Sequence, residues 1–302
     1  MSDTILWGTG LNGVADTVSP DLLIESAWKV DIEELAPWYE ATFICEGSES
    51  RSWISGKPWE SFPLLITGHC SSCLDAAWYL CRRGIFPEGS SLLALSQWAG
   101  RGQFGRKWHS PAGNLYSAWH VPYSAGPFSA MLSLLVGYVI IQGLIGLGVK
   151  VELKWPNDLV FQRKKIGGIL IEERGGAVMA GIGINLVSNL DTCCLRGSHA
   201  LSSGSLRDFG YDFRPLNLWR RLVIAGQKYY HEIIRSCTPA DFTSLLQPYL
   251  AFMGEEVMVE DYRQAAPYHG RIMGLGAHGG LRIWTVGREK FIQSGSIYPL
   301  KE

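Results

Sequence analysis

The sequence predicts a chain of mixed strands and helices, an α/β or α+β layer, followed by a small all-β domain at its C-terminus. Three observations carry this. From Pro63 short apolar strand-like runs alternate with stretches of helical spacing. After Pro248 the chain turns to short strands separated by Gly274, Gly276, Gly279 and Gly280. The length, 302 residues, suffices for about two domains of roughly 150 residues each.

The elements follow in order. Residues 1–62 are rich in Trp, Pro, Gly and Ser, with an acidic cluster at Asp31-Ile32-Glu33-Glu34, and form an N-terminal extension whose role the sequence leaves open. Leu64-Leu65-Ile66-Thr67 reads as a strand, Leu74 to Arg82 as a helix, and Ser91 to Leu95 as a strand running into a glycine cluster. Phe128 to Val149 carries no charge over 22 residues, long enough to raise a membrane span. Four glycines, Gln142, two serines and the lack of flanking Lys/Arg clusters favour a buried helix instead, so no membrane is expected. A strand at Val151 to Lys154, a hairpin-like stretch over Leu159 to Glu173 and a strand at Val178 to Ile184 come next. Pro215 to Ile234 opens on proline and repeats Leu218, Leu222, Ala225 and Tyr229 at helical spacing. Strands at 256–259, 270–273 and 281–284 complete a C-terminal β domain over 249–302, leaving 63–248 as the central domain.

Composition narrows the classes. A hydrophobic fraction of 47% excludes a disordered chain, and a net charge of -1 argues against a broad basic face for nucleic acid. Residues 1–62 show no helix-turn-helix pattern, so duplex DNA is not an expected partner. The start, MSDTILWGTG, has no cationic region and no long apolar run, and seven cysteines are an odd number; both fit reduced thiols in a cytoplasm. Cys70-x-x-Cys73 has no second CxxC, and Cys193-Cys194 with His199 matches zinc spacing poorly, so neither metal nor redox chemistry is expected.

The most informative stretch is Gly100-Arg101-Gly102-Gln103-Phe104-Gly105-Arg106-Lys107-Trp108. It contains G-x-G-x-x-G after a strand, but a dinucleotide site also needs a helix to open there and an acidic residue about 20 positions on. His109-Ser110-Pro111-Ala112-Gly113-Asn114 breaks any helix, and no Asp or Glu occurs in the 63 residues from Gly89 to Val151. The formal charges in that span are Arg101, Arg106, Lys107 and Lys150, three of them within one glycine-rich loop. Such a loop can bring backbone N–H groups close to an anion while arginines supply forked, charge-assisted hydrogen bonds; a solvated basic turn is the plainer alternative.

A second constellation follows: Lys154-Trp155-Pro156-Asn157-Asp158, then Lys165-Ile166-Gly167-Gly168-Ile169-Leu170-Ile171-Glu172, then Gly181-Ile182-Gly183-Ile184-Asn185. Alone, Lys165 reads as a hairpin cation and Asp158 as a turn former. Together, in this order, GRGxxGRxW, KWPND, KxGGIL and GIGIN resemble the biotin protein ligases, over some four-fifths of the chain from Pro63 onward.

The resemblance implies an α+β fold: a mixed β-sheet with flanking helices, like the catalytic domain of class II aminoacyl-tRNA synthetases, plus a C-terminal SH3-like β-barrel. It implies a two-step reaction in which biotin and Mg²⁺-ATP give biotinyl-5′-AMP, and the acyl group passes to a lysine of a biotin carboxyl carrier domain. The residues suit this chemistry, because a carboxylate attacking a phosphate faces anion repulsion that fixed cations relieve. By the resemblance Gly100, Gly102, Gly105 and Arg106 hold the adenylate, with Arg101 at the biotin end. Lys165 touches both the biotin carboxylate and the α-phosphate, and Asn185 lies on the nucleotide side. Gln97 and Ser72 frame biotin, Trp108 packs near the intermediate, and Gly181 and Gly183 leave room for its rings. Asp158 is the candidate for Mg²⁺ or for orienting a neighbouring cation, and a homodimer is among the assemblies expected.

Two departures stand out. Cys73 replaces the family's threonine after Ser72, a weaker hydrogen-bond partner, and Gln103 stands where many members carry a third arginine. Rival readings are a lipoate or octanoate ligase on the same fold, a non-catalytic biotin-sensing regulator, and a paralogue that binds without turnover. The GGGxVFHD-like signature of lipoate ligases is absent, and an intact Lys165 argues against the paralogue.

Overall fold

The structure is a computed structural model that describes residues 3–8, 11, 13–45, 48–57, 62–122, 126–188 and 201–300. Cys193, Cys194 and His199 lie outside the described residues. In chain order the first elements are β1 (Thr4–Trp7), α1 (Pro20–Ile24), α2 (Lys29–Glu34), β2 (Trp38–Cys45), β3 (Ser48–Ser55), β4 (Leu64–Cys70), α3 (Cys73–Cys81), β5 (Ser91–Gln97) and β6 (Leu115–His120). Then come α4 (Leu132–Ile145), β7 (Glu152–Lys154), β8 (Asp158–Phe161), β9 (Lys164–Arg174), β10 (Ala177–Ile184), α5 (Pro215–Ser236) and α6 (Pro239–Leu246). The chain closes with β11 (Glu256–Asp261), β12 (Tyr268–Leu275), β13 (Leu281–Thr285), β14 (Arg288–Ile292) and β15 (Gly295–Pro299).

The chain divides into two units: Met1–Tyr123 with Leu170–Asn189 and Ser205–Arg221, and Ser124–Ile169 with Leu190–Gly204 and Leu222–Glu302. The first unit is built on a large mixed sheet in the order β2-β3-β1-β4-β5-β6-β10, continued by the end of β9. β1, β4 and β5 run parallel, and the other pairs described in this unit are antiparallel. In β4 the side chains from Leu64 to Thr67 are all buried, so the strand reads as an unbroken apolar run rather than an alternating one. α3 turns Leu74, Ala77 and Trp78 into the same core as Leu65, Leu92, Tyr116 and Met179.

Residues on both sides of position 62 share this sheet, with Ile5 opposite Leu65 and Leu6 opposite Ile66. Sequence patterning finds no strand there because β1 has four residues and β3, SESRSWIS, is polar except at the adjacent Trp53 and Ile54 and so shows no alternation. Both are too weak to register as periodicity until the rest of the sheet supplies the packing.

The second unit holds α4, which is buried nearly all round, from Leu132 through Leu144. The segment Gly126–Ile145 is long and apolar enough to cross a membrane, yet most of it is buried within the fold, as expected of a helix hydrophobic on every face. Small residues allow its close packing: a Cβ on Gly143 would lie 2.7 Å from Leu222 of α5, and one on Gly226 of α5 would lie 2.8 Å from Val139. β7, β8 and β9 form consecutive antiparallel pairs with an irregularity between Leu159 and Val160. Among the described residues the C-terminal part is a small antiparallel sheet in the order β14-β13-β12-β11-β15, its inner face carrying Val257, Val259, Ile272, Leu281, Ile283 and Ile297.

Candidate functional site

In the first unit the parallel strands β4 and β5 end side by side, Cys70 opposite Gln97, and the chain leaves both at one rim of the sheet. Such a rim, outside the carboxyl ends of parallel strands, is where open sheets bind ligands. Ser72 caps α3 by accepting a hydrogen bond from Asp75 N (3.1 Å). Gln97 is fixed at both ends of its amide: Oε1 accepts from Cys73 N (2.7 Å) and Nε2 donates to Ser110 Oγ (2.7 Å). Cys70 and Cys73 are buried free thiols, and burial together with the neighbouring Cys70 pushes the Cys73 thiol well up.

The glycine loop is a closed turn. Trp108 N donates to Gly100 O (2.8 Å) and Gly102 N to Arg106 O (2.7 Å), with one 3-10 turn at Gln103–Gly105 and no α-helix opening. Gly100 has no space for a side chain, since a Cβ would stand 2.5 Å from Trp108 O. At the tip Phe104 and Gly105 take left-handed φ values of 57° and 68°, and Phe104, Arg106 and Lys107 are exposed. The Arg106 guanidinium lies 5.8 Å from the Phe104 ring centroid.

Arg101, at the root of the loop, has a different environment. It donates to Ser72 Oγ (3.2 Å), to Asp75 Oδ1 (2.7 Å) and to Glu172 Oε1 (3.0 Å). Burial alone would raise the Asp75 carboxyl, but hydrogen bonds from Arg101, Ser72 and Ser71 outweigh it and hold that group below the usual carboxylate range. Burial likewise works against the Arg101 cation, and the two carboxylates more than restore it. The arginine therefore already has two anionic partners, which a basic loop read from sequence does not reveal. Asp75 and Glu172 are the functional candidates that sequence reasoning missed. Ser72-x-x-Asp75 has the spacing of a helix-capping pair and could have flagged Asp75.

On β10 the space above Gly181 and Gly183 is filled by the protein itself: a Cβ would lie 2.9 Å from Leu74 Cδ1 and 2.8 Å from Trp108 Nε1, respectively. The two glycines thus admit Leu74 and Trp108 close against β10. Asn185 is buried after β10, its carbonyl accepting from Leu206 N (2.9 Å). Asn114, buried and given no role from sequence, accepts from the backbone N–H groups of Leu186, Val187 and Ser188 and so holds the chain just beyond Asn185.

In the second unit Asp158 opens β8 opposite Lys154 of β7. Its Oδ2 accepts from Lys154 Nζ (2.8 Å) and its Oδ1 pairs with Lys165 Nζ (2.5 Å). Burial would raise the carboxyl, but the two ammonium groups hold it far below the ordinary range. The Lys165 backbone is tied to Ser202 O (2.9 Å) and to Gly204 N (3.0 Å). The turn between β7 and β8 is pinned by Asn157, whose Nδ2 donates to Ile169 O (2.6 Å), and by Trp155, whose Nε1 donates to Gly279 O (3.0 Å). A hard divalent cation wants several free oxygens. Both Asp158 oxygens carry a lysine, and among the described residues no group of three or more His, Cys, Asp or Glu side chains is gathered. Asp158 thus fits the role of orienting a cation and not that of holding resident Mg²⁺. Ser72, Gln97, the loop, Trp108, Gly181, Gly183 and Asn185 belong to the first unit and Asp158 and Lys165 to the second, so the convergence of Lys165 with Arg101 and Arg106 stands as an expectation.

Residues 82–189 match the family model of the Biotin/lipoate A/B protein ligase family. The bifunctional ligase/repressor BirA of Escherichia coli is 44% identical over 115 residues, 35% of this chain and 36% of that protein. A biotin–[acetyl-CoA-carboxylase] ligase of Paracoccus denitrificans is 35% identical over 109 residues, 33% of this chain and 45% of that protein. The chain thus spans less than half the length of these curated relatives. Its fold is similar to the biotin protein ligase of Aquifex aeolicus solved with biotin and ATP, with a TM-score of 0.66 at 25% identity, covering 78% of this chain and 97% of that one.

Proposed function

We propose that this chain, which carries a Biotin/lipoate A/B protein ligase family segment at residues 82–189, activates biotin with ATP and transfers it to a lysine of a carboxyl carrier domain. The observation that supports this most is the likeness along nearly all of the Aquifex aeolicus ligase, a protein solved with both biotin and ATP. In the first step a biotin carboxylate oxygen attacks the α-phosphorus of ATP; that O–P bond forms, the bond to the β-phosphate breaks, and pyrophosphate leaves. In the second, the carrier amine attacks the acyl carbon, loses a proton, and AMP departs.

Each step concentrates negative charge where fixed cations act best. Arg106 and Lys165 meet the phosphate and carboxylate in this reading, with Lys165 aimed by its pairing to Asp158. Ser72 and Gln97 hold the far end of biotin, and Asn185 the nucleotide side. Mg²⁺ enters as part of the nucleotide substrate, neutralising phosphate charge. The same reading closes the C-terminal sheet into an SH3-like barrel, allows a homodimer, and puts the reaction in a cytoplasm. The family's name also covers lipoate ligases, which supports a lipoate or octanoate ligase as the alternative.

The test mixes protein, ATP and Mg²⁺ with biotin or with lipoate and looks for the acyl-adenylate by mass spectrometry. Biotinyl-adenylate from the wild type and none from Lys165→Ala is the expected result. Lipoyl-adenylate alone would select the alternative; tight biotin binding without turnover would select a sensor.

A further inference from the structure

Arg101 joins three separate pieces of chain: its own loop root, the start of α3 through Ser72 and Asp75, and the end of β9 through Glu172. Glu172 is itself locked, accepting from Trp78 Nε1 (2.8 Å) and from Arg174 (2.7 Å), whose guanidinium lies 4.9 Å from the Trp78 ring. Asp75 is locked by Ser71 Oγ (3.0 Å) and by its place one turn into α3. The loop is also held by backbone bonds around its own turn, by the stem bridge of Arg101 to Lys107 and by Trp108 against Gly183, while its tip is exposed.

We propose that Asp75 and Glu172 are positioning residues: they hold Arg101 as a charge-compensated brace that sets the glycine loop, and through it the Ser72 hydroxyl, for the biotin end of the substrate. The brace needs a guanidinium, because only a planar fork reaches a hydroxyl and two carboxylates at once. Its effect on biotin rests on the ligase reading; its effect on the loop does not.

Two measurements separate these. First, tryptic cleavage after Arg106 and Lys107 is timed in native protein, with cleavage after Lys228 on α5 reporting global opening. In Glu172→Gln and Asp75→Asn the loop is cut about tenfold faster while Lys228 is cut at the wild-type rate. Unchanged loop cleavage, or equal acceleration at Lys228, overturns the brace whatever the protein catalyses. Second, the KM for biotin rises about tenfold in Glu172→Gln and in Arg101→Lys with the KM for ATP unchanged, and the double variant is no worse than either single one. Additive losses, or a KM for biotin that does not move, overturn the link to substrate. Faster loop cleavage in a protein that makes no biotinyl-adenylate leaves the brace standing and removes the ligase reading.

Discussion

The indole of Trp108 lies against Gly183, so closely that a Cβ on the glycine would stand 2.8 Å from its Nε1. A bare backbone on β10 is what lets the last residue of the glycine loop pack onto the sheet.

Gly183→Ala therefore forces Trp108 off its seat. Overpacking of this kind costs about 1–3 kcal/mol. The melting temperature falls by several degrees, and the biotin KM rises about tenfold if the ring flanks the substrate. Thermal unfolding and a biotin titration check both.

Asp158→Asn keeps the shape but leaves Lys154 and Lys165 facing a neutral amide. The loss in stability is about 2–3 kcal/mol, below the range for fully buried pairs because Lys165 is partly exposed to solvent. The folded-state carboxyl titrates below its ordinary 3.8, so the ionised pair contributes its full stability above that pH and loses it as pH falls further. Melting curves of wild type and variant should accordingly converge as the buffer is acidified below about pH 4.

Removing divalent metal should leave the fold untouched. With both Asp158 oxygens on lysines, EDTA leaves the melting temperature of the nucleotide-free protein unchanged, while adenylate formation stops because ATP has lost its counter-ion. A melting point that drops in EDTA would reveal a resident ion.

Asp31 of α2 is 2% exposed and accepts from Leu216 N at the start of α5 (3.2 Å). Burial raises its carboxyl against the hydrogen bond from Leu216 and the charge of Arg214. Because the folded-state value is raised, the ionised form opposes folding at neutral pH, and that opposition is relieved as pH falls toward 3.8. Asp31→Ala orphans the Leu216 N–H and costs about 1–3 kcal/mol. Asp31→Asn keeps an acceptor, costs less, and abolishes this part of the pH dependence, as urea unfolding across pH would show.

Gln103 stands in the 3-10 turn of the loop, a neutral residue beside Arg106. If the proposed ligase reading holds, Gln103→Arg adds a cation to the loop and should lower non-specific lysine labelling by escaped biotinyl-adenylate. Equal labelling by the two proteins would remove any role of this position in retention.

By itself the sequence determined the order of the central strands and helices, the buried helix within Phe128 to Val149, and the loop, Lys165 and Asp158 as candidates. These rest on spacings between near neighbours and on glycine, proline and apolar periodicity, which act locally and survive without a third dimension. Only the tertiary structure decided that residues before position 62 belong to the central sheet, that Gly181 and Gly183 admit Leu74 and Trp108, and that Arg101 is already matched by carboxylates. The reason is physical: Glu172 reaches Arg101 across 71 residues of chain, and strand register, not spacing, chooses which charge a half-buried arginine meets.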